Sequence, residues 1–185
     1  MDEAEPSTRI EHAGLTVWFT GLSSAGKTTL SDAVSGNLKK LGCRVEQLDG
    51  DIIRRHLSLG LGYDRKDREE NLRRIGFVAE MLSRHRVIVL VSTISPYRAI
   101  RAEMRGKCRP FIEVYVDAPL EVCEERDRKG IYKRARKGEL SHVTGIDDPY
   151  EPPLSPEVTC RTDRETVEES AALVLEVILE KLRSK

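Results

Sequence analysis

Short apolar runs alternate along the chain with longer stretches in which apolar and charged residues are mixed. Leu15 to Thr20 is a compact apolar run ending at Gly21, and a helical pattern follows from Lys27 to about Leu41. Cys43 to Leu48 reads as a second strand, closed by Asp49-Gly50-Asp51. The run from Arg86 to Ser92 (RVIVLVS) is β-branched, continuous and flanked by polar residues, as suits a strand buried on both faces of a parallel sheet. Phe111 to Asp117 predicts a fourth strand and Glu157 to Cys160 a fifth. The last helix is expected to start near Thr166, which forms a capping box with Glu169, and to bury a stripe of Val167, Ala171, Val174, Ile178 and Leu182. This βαβα order predicts an α/β fold in which helices cover both faces of an open parallel sheet.

No strand pattern occurs between Arg126 and Pro156, only a basic stretch followed by a proline-rich one. This segment, about 126–156, reads as a lid over an active site rather than a second domain. A single domain over residues 15–185 is expected, preceded by a short polar, acidic segment (residues 1–14) without the order of a signal peptide.

Composition narrows the partners. The 185 residues carry zero formal net charge, so no global field favours nucleic acid or membrane, and any anion site must be local. No apolar run is long enough to cross a bilayer, and cytoplasm is the default. The four cysteines, Cys43, Cys108, Cys123 and Cys160, form no C-x-x-C pair; buried free thiols account for them better than a disulfide or metal site. His12, His56, His85 and His142 are equally scattered, so metal is expected only with a nucleotide.

Gly21-Leu22-Ser23-Ser24-Ala25-Gly26-Lys27-Thr28 matches G-x-x-x-x-G-K-[ST], between a strand and a helix. The glycines let backbone N–H groups turn towards phosphate oxygens, and the following helix adds its positive end. Lys27 reaches the β- and γ-phosphates of ATP, and Thr28 offers a hydroxyl to Mg²⁺. The fold is therefore expected to be of the P-loop NTPase type. The Asn-Lys-x-Asp motif of guanine-nucleotide switches is absent, and motor or transporter ATPases need domains that this length does not hold. A small-molecule kinase remains.

Asp49-Gly50-Asp51 closes the second strand at the sheet edge where such folds bind ligands. One carboxylate could hold Mg²⁺ and the other take a proton from an attacking hydroxyl; Asp51 could equally N-cap a helix. In the helix that follows, Asp67 reads as the N-cap, with Glu70 three residues on. At about 100° per residue, Leu72, Ile75, Ala79 and Leu82 form its buried face, and Arg68 and Asn71 share that face one turn earlier. A cation and an amide aimed inward need a polar partner, either an anionic ligand or a salt bridge to a nearby Asp. Arg126, Arg128, Lys129, Lys133, Arg134, Arg136 and Lys137 crowd the lid with only Asp127 against them. They read as a solvated face or as cations that close over a transferring phosphoryl group. Nucleic-acid binding would need interleaved aromatics, and only Tyr132 is present.

Six stretches together resemble the adenylyl-sulfate kinase family: Gly21–Thr29, Leu48–Asp51, Asp67–Gly76, Ile94–Arg98, Lys129–Arg136 and Thr144–Pro153. The resemblance runs from about Leu15 to Leu182. It implies transfer of the ATP γ-phosphoryl group to the 3′-hydroxyl of adenosine 5′-phosphosulfate, with Mg²⁺, in sulfate activation, and a functional link to ATP sulfurylase. By position it makes Gly21 to Thr29 the ATP loop, Thr28 and Asp49 the Mg²⁺ ligands, and Asp51 the base or orienter of the 3′-hydroxyl. Arg54, Arg68, Asn71, Ile94, Ser95 and Lys133 would bind the acceptor, and Thr144 and Gly145 would line its adenine pocket. Arg126 is the candidate to stack on the adenine of ATP. Some family assignments make Ser95 a transient phosphoryl carrier; with no His near it in sequence, direct transfer is expected and Ser95 is assigned to holding the acceptor. The chain departs from the family at Tyr63, often Phe, and at Val143, usually Phe, where loss of an aromatic is expected to weaken stacking on the acceptor. A kinase of another small alcohol and a silent nucleotide-binding module are the alternatives, the second opposed by intact Lys27, Thr28 and Asp51. A homodimer is compatible with the sequence, which does not set the oligomeric state.

Overall fold

A computed structural model describes residues 12–184, so most of the N-terminal polar segment lies outside the described residues. Five strands form one parallel sheet: β1 (Leu15–Thr20), β2 (Val45–Asp49), β3 (Ile88–Ser92), β4 (Phe111–Asp117) and β5 (Val158–Arg161), in the order β2-β3-β1-β4-β5. The helices are α1 (Lys27–Lys40), α2 (Gly50–Leu57), α3 (Arg65–Arg84), α4 (Arg98–Lys107), α5 (Leu120–Glu125), α6 (Ile131–Arg136) and α7 (Val167–Arg183).

Period-2 alternation divides the core into two layers. Leu15, Val17 and Phe19 of β1 pack with Leu30, Val34 and Leu38 of α1 and with Ala171, Val174 and Ile178 of α7. Trp18 points through the other face, where Leu72, Ile75 and Ala79 of α3 meet Ile100 and Met104 of α4. β1 and β3 are buried along their full length, which explains why their sequences read as unbroken apolar runs rather than alternating ones. Glu113, in register with Trp18, lies on this second face of the sheet and is paired there with Arg101 of α4.

Two caps depart from expectation. The N-cap of α3 is Asp64, whose carboxylate accepts from the Asp67 amide at 2.8 Å, so the helix starts earlier than the Asp67-Glu70 pairing suggested. The cause is local: Arg65 and Lys66 add no apolar residue to the periodic pattern, so it becomes visible only later. Asp49, not Asp51, caps α2; its Oδ1 accepts from the amides of Asp51 at 2.9 Å and Ile52 at 3.3 Å. The capping box at Thr166 and Glu169 is present, although Val167 at the head of the stripe is exposed. All four cysteines are buried and unpaired. No described helix is long and apolar enough to cross a membrane.

Candidate active site

The carboxyl ends of β1, β2, β3 and β4 lie side by side, because parallel pairing aligns Phe19 with Ser92, Asp49 with Ser92, and Thr20 with Tyr115. Loops leaving this edge carry most of the residues singled out above.

The loop after β1 begins at Gly21, whose φ is 150° and whose added Cβ would stand 2.4 Å from the Val116 carbonyl oxygen. Only glycine fits there. The Lys27 ammonium donates to the carbonyls of Gly21 at 3.0 Å and Leu22 at 2.6 Å. Burial lowers its pKa to about 8, against the opposing pull of Cys123 and Asp51. Thr162, at the end of β5, braces the loop by donating from Oγ1 to the Ala25 carbonyl at 2.7 Å. Arg126 in turn donates to the Thr162 carbonyl at 2.6 Å, which sets it beside the start of α1.

The loop after β2 meets the phosphate loop directly. Thr28 Oγ1 donates to Asp49 Oδ2 at 3.0 Å while the other oxygen of Asp49 caps α2, so one carboxylate joins both loops. Asp51 stays exposed and forms an ion pair with Lys129, which lies 78 positions further along the chain. Lys129 stands in the basic segment but was given no individual role above; no sequence signal separates it from its basic neighbours. Of those neighbours, Lys133 is exposed on α6, and Arg136 pairs with Glu124. Asp127 accepts from the amides of Ile131 at 2.9 Å and Lys133 at 3.0 Å, tying down the start of α6. Tyr132 is buried and donates its hydroxyl to the Ser23 carbonyl at 3.0 Å. The one aromatic of the basic segment therefore roots it on the phosphate loop and is not free to stack on bases.

Two of the residues expected on the acceptor side lie on α3. Arg68 and Asn71 are buried, as the helix geometry required. Arg68 donates to the carbonyl of Tyr63 at 2.6 Å and to that of His142, and lies 3.8 Å from Asp148. Burial depresses its pKa and Asp148 opposes this. The inward cation thus has its Asp, one of the two partners considered. The amide oxygen of Asn71 and the hydroxyl of Thr144 are buried without a hydrogen-bond partner. Such atoms are costly to leave unpaired, and a polar ligand would satisfy them. Arg54 donates to the Gly62 carbonyl at 2.6 Å and stands 4.4 Å over the exposed Tyr63 ring. Gly145 approaches Leu22 and Leu120 so closely that an added Cβ would lie 3.2 Å from each, which sets its segment against the phosphate loop.

One expectation changes. Val143 does not face a ligand surface; it is 5% exposed and belongs to the core under the lid segment, with Tyr132, Cys123 and Ala118. An aromatic at this position would enter that core. Ser95 is also buried, at φ 41°, and its hydroxyl accepts from Trp18 Nε1 at 3.0 Å while facing the Thr93 carbonyl at 3.4 Å. The Ile94 carbonyl is held at 2.7 Å by Thr20 Oγ1.

Comparison with known proteins agrees on one family. Residues 13–161 match the family described as Adenylylsulphate kinase. An adenylyl-sulfate kinase of Microcystis aeruginosa is 61% identical over 165 residues, covering 89% of this chain and 91% of its own. One from Synechococcus sp. (strain JA-3-3Ab) is 64% identical over 163 residues, covering 88% and 93%. Among solved structures, an APS kinase of Mycobacterium tuberculosis in complex with AMPPNP and APS superposes with a TM-score of 0.88 at 40% identity, covering 91% of this chain and 99% of its own.

Proposed function

The chain belongs to the adenylylsulphate kinase family, and from that premise we propose how its own residues carry the reaction. It is an ATP-dependent adenylyl-sulfate kinase, which moves the γ-phosphoryl group of ATP to the 3′-hydroxyl of adenosine 5′-phosphosulfate and gives 3′-phosphoadenylyl sulfate and ADP.

In our reading the backbone of Gly21 to Thr29 cradles the triphosphate, and Lys27 neutralises charge that builds on the transferring group. Arg126, braced on Thr162 beside that loop, takes the adenine of ATP. Asp51 accepts the proton of the acceptor 3′-hydroxyl as that oxygen forms its bond to phosphorus. The bond from phosphorus to the bridging oxygen breaks, and ADP leaves with the electron pair. Arg54, Arg68, Asn71, Ile94, Ser95, Lys133, Thr144 and Gly145 form the acceptor side, where the unpaired Asn71 and Thr144 atoms await a polar partner. The hydroxyl of Thr28 and the carboxylate of Asp49, 3.0 Å apart, are hard oxygen donors that fit Mg²⁺ carried in with ATP. When bound, the ion would offset phosphate charge. Ser95 serves the acceptor side by fixing its loop, and transfer is direct: a buried hydroxyl that already accepts from Trp18 is poorly placed for attack on ATP.

The single observation that carries this reading is the Thr28–Asp49 bond at one sheet edge, which sets the acidic loop of Asp51 against the phosphate loop. A coupled assay of ADP release with ATP, Mg²⁺ and adenylyl sulfate tests it, with nucleosides and sugar acids as controls. ADP should appear rapidly only with adenylyl sulfate. Asp51→Asn should lower kcat about 10²–10⁴-fold, as loss of a general base does; an unchanged kcat would remove Asp51 from the role. Chirally labelled γ-phosphate should invert, and retention would reinstate a Ser95 relay. The product is an activated sulfate, so an ATP sulfurylase would supply the substrate in sulfate assimilation. Four buried, unpaired thiols suit the reducing cytoplasm, where we place the reaction.

A further inference from the structure

Arg101 lies outside every motif discussed above, yet it is 3% exposed, carries a charge, and makes three hydrogen bonds to three separate segments. Its Nε donates to Glu113 Oε1 of β4 at 2.8 Å, Nη1 to the Ser95 carbonyl at 2.6 Å, and Nη2 to the Glu151 carbonyl at 2.6 Å. Arg105, one turn on, donates to the second oxygen of Glu113 at 3.2 Å, so that carboxylate is fully engaged and stays aimed at α4.

The groups around it show what this clasp joins. Ser95 sits at φ 41°, a backbone conformation that a non-glycine residue adopts only when its surroundings hold it there. Glu151, at the return end of segment 126–156, donates from its amide to the Pro96 carbonyl at 2.8 Å, and its carboxylate accepts from the Arg98 amide at 2.8 Å. Tyr150 meets Thr20 Oγ1 at 3.0 Å, with the Arg101 guanidinium 5.8 Å from its ring centroid. The guanidinium thus bonds to both the Ile94–Ser95 loop and the root of the lid segment, beside Thr20 Oγ1, which meets the Ile94 carbonyl and the Tyr150 hydroxyl. A buried ion pair is weak as a source of stability, since apolar residues of similar volume often do as well. A planar fork that fixes three oxygens in one geometry is what arginine adds and an apolar residue lacks.

We propose that Arg101 is a positioning residue for the acceptor: it locks the Ile94–Ser95 loop to the returning lid segment at Glu151, so that acceptor binding depends on it and ATP binding does not. The proposal rests on the assignment of Ile94 and Ser95 to the acceptor side. Its test is the double variant Arg101→Met/Glu113→Leu, which removes both buried charges together and leaves neither unpaired. Folding is checked by thermal melting and by binding of ATP. The expected result is an adenylyl sulfate KM raised at least tenfold, with the ATP KM within twofold of the parent. Arg101→Lys, which keeps the charge but loses the fork, should retain most of the acceptor defect. An acceptor KM within twofold of the parent in the double variant overturns the proposal, as does equal weakening of both substrates, the mark of a general structural role. Restoration of the acceptor KM by lysine also overturns it. Ile94→Ala reads the underlying assignment separately: if it leaves the acceptor KM unchanged, the loop is not on the acceptor side and the proposal falls for that reason. An acceptor defect in Ile94→Ala beside an unaffected double variant sinks the clasp alone.

Discussion

The phosphate loop and the proposed acceptor pocket lie at the same sheet edge but are built in opposite ways. The loop is one contiguous stretch, Gly21 to Thr29, and its lysine reaches back only to Gly21 and Leu22, while Tyr132 and Thr162 brace it from farther along the chain. The proposed acceptor pocket draws on α3, the loop after β3 and segment 126–156. Arg68 bonds to His142, Lys129 pairs with Asp51, and Thr20 meets Tyr150. A backbone cradle needs only a tight turn and a helix start, which a few consecutive residues specify. A pocket for an extended anionic nucleotide needs side chains from several directions, which only the fold brings together. The first region should therefore fail through single residues, and the second through its supports as well.

The largest effect is expected at the loop. Lys27→Ala should reduce kcat on the order of 10²–10³-fold, because a preorganised cation no longer faces the transferring group. Steady-state rates on a variant with parental melting temperature check this; near-parental turnover would sink the role of Lys27 and the contrast with it. Next, Arg68→Ala should weaken adenylyl sulfate binding roughly tenfold or more, the cost of a lost charged hydrogen bond, while ATP binding stays near parental. Calorimetric titration of each ligand separates the two, and equal losses for both would mean that the two regions are not independent.

Val143→Phe probes a support of the second region. Since Val143 lies in the core with Tyr132 and Cys123, the added volume should overpack it and cost about 1–3 kcal/mol of stability without tightening acceptor binding. Denaturant melts and acceptor titration test this together; tighter binding at parental stability would show that the ring had turned outward after all. The smallest effect is a proton. Lys27 has its pKa lowered to about 8 by burial, and a bound triphosphate, being of opposite charge, raises it again. At pH 8 nucleotide binding should then take up about half a proton through this residue, more above that pH and almost none below 7, so ATP affinity should fall as pH rises. Calorimetry in buffers of different ionisation enthalpy measures the uptake. It should vanish in Lys27→Met, and uptake that persists there belongs to another group.

The elements that sequence reading found are those with strong period or punctuation. β1 and β4 run from Leu15 to Thr20 and from Phe111 to Asp117, as their apolar runs predict, and the Thr166 capping box marks the start of α7. The missed features lack such a signal. α2 buries none of its residues, so no apolar face announces it, and the cap of α3 precedes two charged residues that carry no period. Helix geometry alone turned Arg68 and Asn71 inward, but it did not reveal that Asp148 waits for the arginine.

By itself, then, the sequence determined the doubly covered parallel sheet, the phosphate loop and the kinase chemistry, since each depends on residues adjacent in the chain or one helical turn apart. Only the tertiary structure decided that Asp49 rather than Asp51 caps α2, that Lys129 is the cation paired with Asp51, that Val143 faces inward, and that Arg101 joins Ser95 to Glu151. The first is a choice between two carboxylates two residues apart, and the others join residues far apart in the chain. Local propensity cannot rank them, because what separates them is the distance left between side chains once the core has packed.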